Sequence, residues 1–278
     1  MIRDIIIKIL RKMGYSILKL DMDDNYLYFK YYNKSDIKNR RFYNIGAGLF
    51  RHPVWTNIDH YSEHYHKNII NIDFDLLAKK QLPIPDNSAN IVYSSHTIEH
   101  LPDDSAQHMF NESYRILKNN GYIRITTPDT DLGFKTIENN DFFYWKWQME
   151  RADLDPRKTS LKQMFLTSIA SQTTTIMFPN INTYKISDDE FDEIFSKYPY
   201  EQALDYCVSK RSLDLQRKHP GCHINWWNKE KVIRFLRNAG FENVYVSAYG
   251  QSLCPVMKNI TYFDNTHPTV SLYVEARK

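Results

Sequence analysis

Between Phe42 and Leu101 the chain alternates short apolar runs with polar stops. Phe42-Tyr43-Asn44-Ile45 ends at Gly46-Ala47-Gly48, and Val54-Trp55-Thr56-Asn57-Ile58 ends at Asp59. Ile69-Ile70-Asn71-Ile72-Asp73-Phe74 ends at Asp75-Leu76, and Asn90-Ile91-Val92-Tyr93 ends at Ser94-Ser95-His96. Short β-branched runs bounded by turn residues read as buried strands. Open parallel sheets bind ligands beyond the carboxyl ends of their strands, which marks Gly46, Gly48, Asp59, Asp75, Ser95 and His96. Upstream, Ile6, Ile9, Leu10 and Met13 share one face of residues 2–13, with Asp4, Lys8, Arg11 and Lys12 off it, so an amphipathic helix is predicted, stopped by Gly14. Ile17–Tyr32 alternates around Asp23-Asp24-Asn25 and predicts a hairpin. Asp103-Asp104 open a helix over 103–119, which Asn119-Asn120-Gly121 end. A strand at Tyr122–Thr127 then stops at Pro128-Asp129.

Residues 130–222 break this rhythm. They hold an aromatic run (Phe142-Phe143-Tyr144-Trp145-Lys146-Trp147), a helical pattern over 160–177, the acidic Asp188-Asp189-Glu190 and a mixed-charge 208–218. Inserted segments of this length over a site often carry function, so 130–222 reads as a helical cap on the substrate side, its aromatics chiefly forming the cap's own core. A helix over 227–239 ends at Gly240, and Phe241–Ala248 and Thr269–Ala276 alternate as strands on either side of a long loop, Gln251–His267. The expected organisation is an extension over 1–40, an α/β domain over 41–129 and 223–278, and the cap.

The chain has 8 glycines in 278 residues, and two of them flank Ala47 after the first strand. Glycine lets the backbone turn tightly and a ligand lie against it. Asp59, ending the next strand, can accept two hydrogen bonds from a ribose diol. A pyrophosphate would want a third glycine and a helix N-terminus. Here Leu49-Phe50-Arg51 and Pro53 follow, with no room for a crossover helix before Val54. A ligand with a ribose and no phosphate fits better, which disfavours an NAD-dependent oxidoreductase.

These stretches resemble the class I S-adenosylmethionine-dependent methyltransferases, in the branch that runs Leu-Asn-Leu-Gly-Cys-Gly, Gly-Trp-x-Asn-x-Asp, Leu-Pro-Phe-Pro-Asp and Ser-Ser-His-x-Leu-Glu-His. The counterparts are Tyr43–Gly48, Val54–Asp59, Leu82–Asp86 and Ser94–His100, followed by Arg115–Tyr122, Ile125–Asp129 and Trp226–Phe241. The resemblance implies a Rossmann-like, seven-stranded, mostly parallel sheet with an antiparallel last strand. It implies that Asn44, Gly46, Ala47 and Gly48 lie against the methionine part of S-adenosylmethionine and that Asp59 holds the ribose. It also implies that Asp75 and Leu76 border the adenine, with Ser95 and His96 near the sulfonium. Two positions depart from the pattern: Asn44 stands where an acidic residue is usual, and Phe50 replaces the third glycine.

Net charge is +3 with both signs mixed, giving no electrostatic case for nucleic acid. Cys207, Cys222 and Cys254 share no metal-like spacing and cannot all pair, which points to a reducing, cytoplasmic setting. No apolar run reaches the ~20 residues of a membrane span, so stable membrane insertion is not expected. The N-terminal helix suits a domain-edge or homodimer contact better than a membrane surface. His96-Thr97-Ile98-Glu99-His100 has the spacing of an inverted zinc-protease motif. That chemistry needs a continuous helix, and Leu101-Pro102 forbid one. With no third ligand marked, no metal is expected, and Glu99 with His100 reads as a hydrogen-bonded structural pair.

For methyl transfer to a hydroxyl, a base near neutral pH helps. His96 and His223 are the candidates, with Asp129 to orient the base or the acceptor. The expected activity is transfer of a methyl group from S-adenosylmethionine to a small-molecule acceptor. The resemblance suggests an oxygen of a sugar, nucleotide-linked or phosphoryl intermediate in bacterial surface-polysaccharide (capsule) biosynthesis. The alternative outside catalysis is an inactive scaffold of the same fold.

Overall fold

Seven short strands form one sheet: β1 (Phe42–Ile45), β2 (Thr56–Asp59), β3 (Ile72–Asp73), β4 (Ala89–Ser95), β5 (Leu117–Pro128), β6 (Asn243–Val246) and β7 (Ser271–Arg277). The structure is a computed structural model and describes residues 2–15, 24–61, 70–177 and 181–278. The strand order is β3-β2-β1-β4-β5-β7-β6. All neighbours from β3 to β5 run parallel, while β7 runs antiparallel between β5 and β6. This is the mostly parallel α/β sheet with an antiparallel last strand that the sequence implied. Strand order reverses between β1 and β4, so the carboxyl ends of those two strands meet at the position where such sheets bind ligands. That places Gly46-Ala47-Gly48 beside Ser95-His96.

The central strands are buried along their whole length, β1 at every position and β4 at all but the last, as parallel strands covered on both faces must be. One face carries α4 (Asp103–Ile116) and α11 (Lys229–Asn238) over Ile45, Val92, Phe110, Ile123, Trp227 and Leu236. The other face carries an aromatic cluster around Phe42, Trp55, Tyr93 and Phe263. Phe50, in place of a third glycine, packs into that cluster against Trp55 and Phe263. No helix joins β1 to β2, only the turn after Gly46.

Three local expectations need correction. Asn25–Tyr31 is a helix (α2), so the second arm of the expected hairpin does not exist; residues 16–23 lie outside the described residues. The i, i+4 pair Tyr28 and Tyr32 turns both rings onto Phe42, and this tertiary contact outweighs the local alternation. A short α3 (Lys34–Lys38) then leads into β1. The helix expected over 103–119 ends at Ile116, and Asn119-Asn120-Gly121 lie inside β5. There Ala89 faces Leu117 but Ile91 faces Tyr122, so the extra residues form a bulge with Asn120 at φ +68. Finally, the third strand is only two residues long.

Between β5 and α11 lie α5 (Thr130–Glu138), α6 (Phe142–Arg151), α7 (Leu161–Ile169), α8 (Asp188–Lys197), α9 (Tyr200–Ser209) and α10 (Leu213–Lys218). They bury a separate cluster that includes Trp145, Met149, Met164, Phe165, Leu204 and Trp226. Ser160, Ser187 and Ser212 cap α7, α8 and α10 through their side chains. The N-terminal α1 (Ile2–Lys12) leaves Ile5, Ile6, Ile9 and Met13 exposed. None of the described helices is long and apolar enough to cross a membrane.

The loop from Gln251 to His267 is tied to the sheet by a buried cation. Arg124 on β5 donates to both carboxylate oxygens of Asp264 (2.9 and 2.6 Å), to Glu275 Oε2 (3.1 Å) and to the Ala248 carbonyl (3.0 Å). The side chains of Arg124, Asp264 and Glu275 are all fully buried. The loop is thereby held along the carboxyl ends of β4 and β5.

Candidate active site

The turn after β1 is built so that only glycine serves at its first position. Gly46 has φ +68, and a Cβ there would lie 2.2 Å from Thr97 Oγ1 and 2.3 Å from Thr97 Cγ2. Gly48 also has positive φ (+52) but faces open space. Its N–H donates to Asp59 Oδ2 at 2.7 Å, and the His60 N–H donates to Asp59 Oδ1 at 2.7 Å. Asp59 therefore braces the glycine turn and keeps one lone pair on each oxygen for a ligand. Burial pushes its pKa up, opposed by those two N–H groups.

Beyond the strand ends lie three adjoining cavities. The first, about 290 Å³, is lined by Gly46, Asp59, Asp75 and Leu76 from the sheet side and by Gln216 and Arg217 from α10. Asp75 caps the turn at Leu76–Ala78 through Oδ1, and Arg217 Nη1 reaches its Oδ2 at 3.0 Å. The second, about 610 Å³, is lined by Asn44, Gly46, Ala47, Gly48, Ser95 and the loop residue Thr266, among others. Asn44 is buried, and its Oδ1 has no partner among the described residues. Ser95 Oγ is paired with Thr126 Oγ1 at 2.8 Å. The third, about 630 Å³, includes Asp129, Tyr144, Trp147, Arg151, His223 and His267 in its wall.

His96 lines all three cavities. It has φ +51, an uncommon conformation for a side-chain-bearing residue that often marks a functional position. Its Nε2 lies 2.8 Å from Ser271 Oγ, and its Nδ1 lies 3.1 Å from Glu99 Oε1. Glu99 is 1% exposed and takes a hydrogen bond from Thr127 on Oε2 (3.1 Å). Its Oε1 faces His96 Nδ1 and, more distantly, His100 Nε2 at 3.9 Å. Burial acts to raise the Glu99 pKa, yet the contact with His96 and the nearby His96, His100 and His223 imidazoles outweigh it and bring it down to about 2.

His100 does not hydrogen-bond Glu99 as the sequence suggested. Its Nε2 stands 3.9 Å from Glu99 Oε1, while its Nδ1 pairs with the Cys222 carbonyl at 2.8 Å. His223 uses Nδ1 on the Ser168 carbonyl at 2.8 Å, and its ring meets that of His100 edge-on at 4.8 Å. Burial, reinforced by His100, brings the His223 pKa down to about 4, so its imidazole is neutral near pH 7. Asp129 caps α5 through Oδ1, and burial pushes its pKa up. The segment Ile98–His100 is one 3₁₀ turn, not the continuous helix of a zinc-protease motif.

The structure thus brings His96, His223 and Asp129 to one cavity and the seven other strand-end residues (Asn44, Gly46, Ala47, Gly48, Asp59, Asp75, Leu76) with Ser95 to the two beside it. Sequence reasoning missed Glu99 as a site residue, although it lay inside a motif already in view. It also missed Arg217, Trp147 and His267. Trp147 and His267 stack at 4.4 Å, from α6 and the far loop, and no local pattern announces that meeting. The three cysteines are free and buried.

Residues 55–125 match the family model of a methyltransferase domain. The fold is similar to that of a methyltransferase from Thermotoga maritima described as a possible histamine N-methyltransferase (15% identity, 86% of this chain and 82% of that one, TM-score 0.40). It is also similar to S-adenosylmethionine-dependent methyltransferases from Mesorhizobium loti (12% identity, 86% and 90%, TM-score 0.41) and Archaeoglobus fulgidus (14% identity, 92% and 100%, TM-score 0.40). No curated protein matches the chain at a significant level.

Proposed function

We propose that this chain, an S-adenosylmethionine-dependent methyltransferase with a class I sheet, methylates an oxygen of a small, sugar-containing acceptor held under residues 130–222. The observation that carries this reading is the position of His96 at the junction of all three cavities. The residues present fit the cofactor. Asp59 retains acceptor capacity for a ribose diol, and the buried Asn44 Oδ1 lacks a donor that an ammonium group would supply. On this reading Asp75 and Leu76 border the adenine and the Gly46–Gly48 backbone borders the methionine.

When bound, S-adenosylmethionine supplies an electrophilic methyl group with a neutral thioether as leaving group. The protein's part is alignment, exclusion of water and handling of one proton. His96 takes the acceptor's proton on Nε2 once the acceptor hydroxyl replaces Ser271 there, while Glu99 faces Nδ1 and stabilises the imidazolium formed. Asp129 and His223 orient the acceptor from the far side.

Three features of the third cavity support a sugar-containing, phosphoryl-linked acceptor. The stacked Trp147 and His267 offer aromatic surface. The buried Trp147 Nε1 lacks a partner among the described residues and can donate to an acceptor oxygen. Arg151 offers a guanidinium of the kind that binds phosphate. A role in bacterial surface-polysaccharide biosynthesis follows as a proposal from the resemblance and this chemistry. The test is calorimetric titration with S-adenosylhomocysteine, then methyl-transfer assays on sugar nucleotides with and without the His96→Gln change. Micromolar cofactor binding and turnover lost in the variant, with binding kept, are expected. Turnover unchanged in His96→Gln would remove the base assignment, and binding without any sugar-nucleotide turnover would remove the acceptor class.

A further inference from the structure

Three side chains from two distant parts of the chain meet where the cofactor-side and acceptor-side cavities adjoin. Glu99 and His100 come from the turn after β4, and His223 comes from the segment leading to α11. One ligand-capable atom from each lies within 4.8 Å of the others. The sequence marked no third ligand beside the His-x-x-Glu-His spacing; the fold brings one in from 123 residues further along. We propose that Glu99, His100 and His223 bind a divalent transition-metal ion, zinc in the first instance, which holds the acceptor's oxygen beside His96. This rests on the methyltransferase reading for its use, but not for its binding.

Four observations carry it. First, Glu99 is 1% exposed, and its Oε1, 3.1 Å from His96 Nδ1, also faces His100 Nε2 at 3.9 Å. A carboxylate oxygen has two lone pairs, so Oε1 can keep His96 on one and take a cation on the other. Second, both histidines donate Nδ1–H to backbone carbonyls, Cys222 and Ser168, at 2.8 Å. That commits Nδ1 of each ring to the backbone and leaves Nε2 as the nitrogen that can face a metal. Histidines that ligate metals are commonly held by such a second hydrogen bond. Third, two imidazoles and one carboxylate make the donor set of catalytic zinc and leave a fourth position for water or substrate. Fourth, His100, Glu99 and His223 all line the cavity that contains Trp147, Arg151 and Asp129, so an acceptor held there is within reach of the trio. Zinc bonds of about 2.1 Å require ligand atoms roughly 3.4 Å apart, so a trio within 4.8 Å must draw in by up to about 1.4 Å.

The acceptor's hydroxyl would take the open position on zinc in place of water, and the metal would act there as a Lewis acid. The hydroxyl's proton would pass to His96 Nε2, and the C–O bond to the methyl carbon would form as its C–S bond breaks and the neutral thioether leaves. No electron is transferred, and the metal leaves the step in the state in which it entered.

The experiment uses the full-length protein, stripped with a chelator and reloaded with Zn²⁺ or Co²⁺. One equivalent of bound metal by elemental analysis is expected, and the Co²⁺ form should show the visible absorption of a low-coordinate nitrogen–oxygen site. His100→Gln and His223→Gln should each abolish that spectrum and weaken Zn²⁺ binding by more than about 100-fold, beyond the 10–100-fold typical of losing an outer partner. His108→Gln, on the surface of α4, should change neither. Thermal melts establish that every variant is folded, and titration of the wild type and His223→Gln with S-adenosylhomocysteine separates failure of the metal site from failure of the cofactor reading. Substoichiometric metal, or a Co²⁺ spectrum that survives His100→Gln and His223→Gln, overturns the proposal.

Discussion

Replacing Gly46 and Gly48 by alanine, one at a time, separates two physical effects that the sequence cannot distinguish. Both glycines have positive φ, +68 and +52, and a left-handed conformation costs a side-chain-bearing residue about 1–2 kcal/mol. At Gly48 nothing lies within 4 Å of the added methyl, so that penalty is the whole effect. At Gly46 the methyl would sit 2.2 Å from Thr97 Oγ1, 2.3 Å from Cγ2 and 2.8 Å from Cβ. Thr97 follows His96 and is buried, so it cannot swing clear, and overpacking adds about 1–3 kcal/mol. Gly46→Ala should therefore cost roughly 2–5 kcal/mol against about 1–2 for Gly48→Ala. For a chain of this size each kcal/mol moves Tm by about 2–4 °C. Thermal melts of the two variants test the ranking. The clash itself is tested by a double-mutant cycle with Thr97→Gly, which removes all three clashing atoms. Coupling of about 1 kcal/mol or more is expected between Gly46→Ala and Thr97→Gly, and none between Gly48→Ala and Thr97→Gly. Equal losses at the two glycines, or additivity at the first pair, would refute the reasoning.

Asp59→Asn should weaken S-adenosylhomocysteine binding about tenfold or more, because a charged hydrogen-bond acceptor is worth about 1.5–3 kcal/mol; unchanged affinity by calorimetry would remove Asp59 from the cofactor site. Arg124→Met leaves the fully buried Asp264 and Glu275 carboxylates without their cation and should cost about 3–5 kcal/mol in urea unfolding, whereas a loss under 1 kcal/mol would show that the loop is held by something else. Glu112 is held below the usual carboxylate range: burial alone would raise its pKa, but the Arg115 contact and the Leu82 N–H outweigh it. A depressed folded-state value means the stabilisation is complete above the ordinary value of 4.5 and is lost as pH falls from there through the lower folded-state value. The stability gap between wild type and Glu112→Gln should therefore narrow in acid, and a gap constant from pH 7 to about pH 3 would contradict this. Arg217→Ala removes a half-exposed ion pair with Asp75 and should change stability by under about 1 kcal/mol. Affinity for S-adenosylhomocysteine should nevertheless fall measurably, since Arg217 forms part of the cavity wall; unaltered affinity would mean that α10 does not close over the ligand.

The α/β sheet and its strand-end residues were readable from the linear pattern because each depends on neighbours in sequence. A buried parallel strand must be an apolar run, a tight turn against a ligand favours glycine, and a carboxylate at the next strand end stays beside it in any such sheet. Gly46, Gly48, Asp59, Asp75 and His96 could be named on those grounds alone. The helix of Asn25–Tyr31 and the bulge at Asn120-Gly121 could not, because Phe42 in one case and the pairing with β4 in the other decide between local conformations of similar energy. The same holds for the chemistry at the centre of the site. Glu99 is a short-range neighbour of His96 and His100, but its meeting with His223 depends on how residues 130–222 return the chain to the sheet. The stacking of Trp147 on His267 likewise needs the Arg124–Asp264 pair to hold the far loop in place. Local propensity and periodicity determined the central strands and the residues at their carboxyl ends. Contacts between residues far apart in sequence, which leave no periodic trace, decided the geometry of the cavity lined by Trp147, His223 and His267.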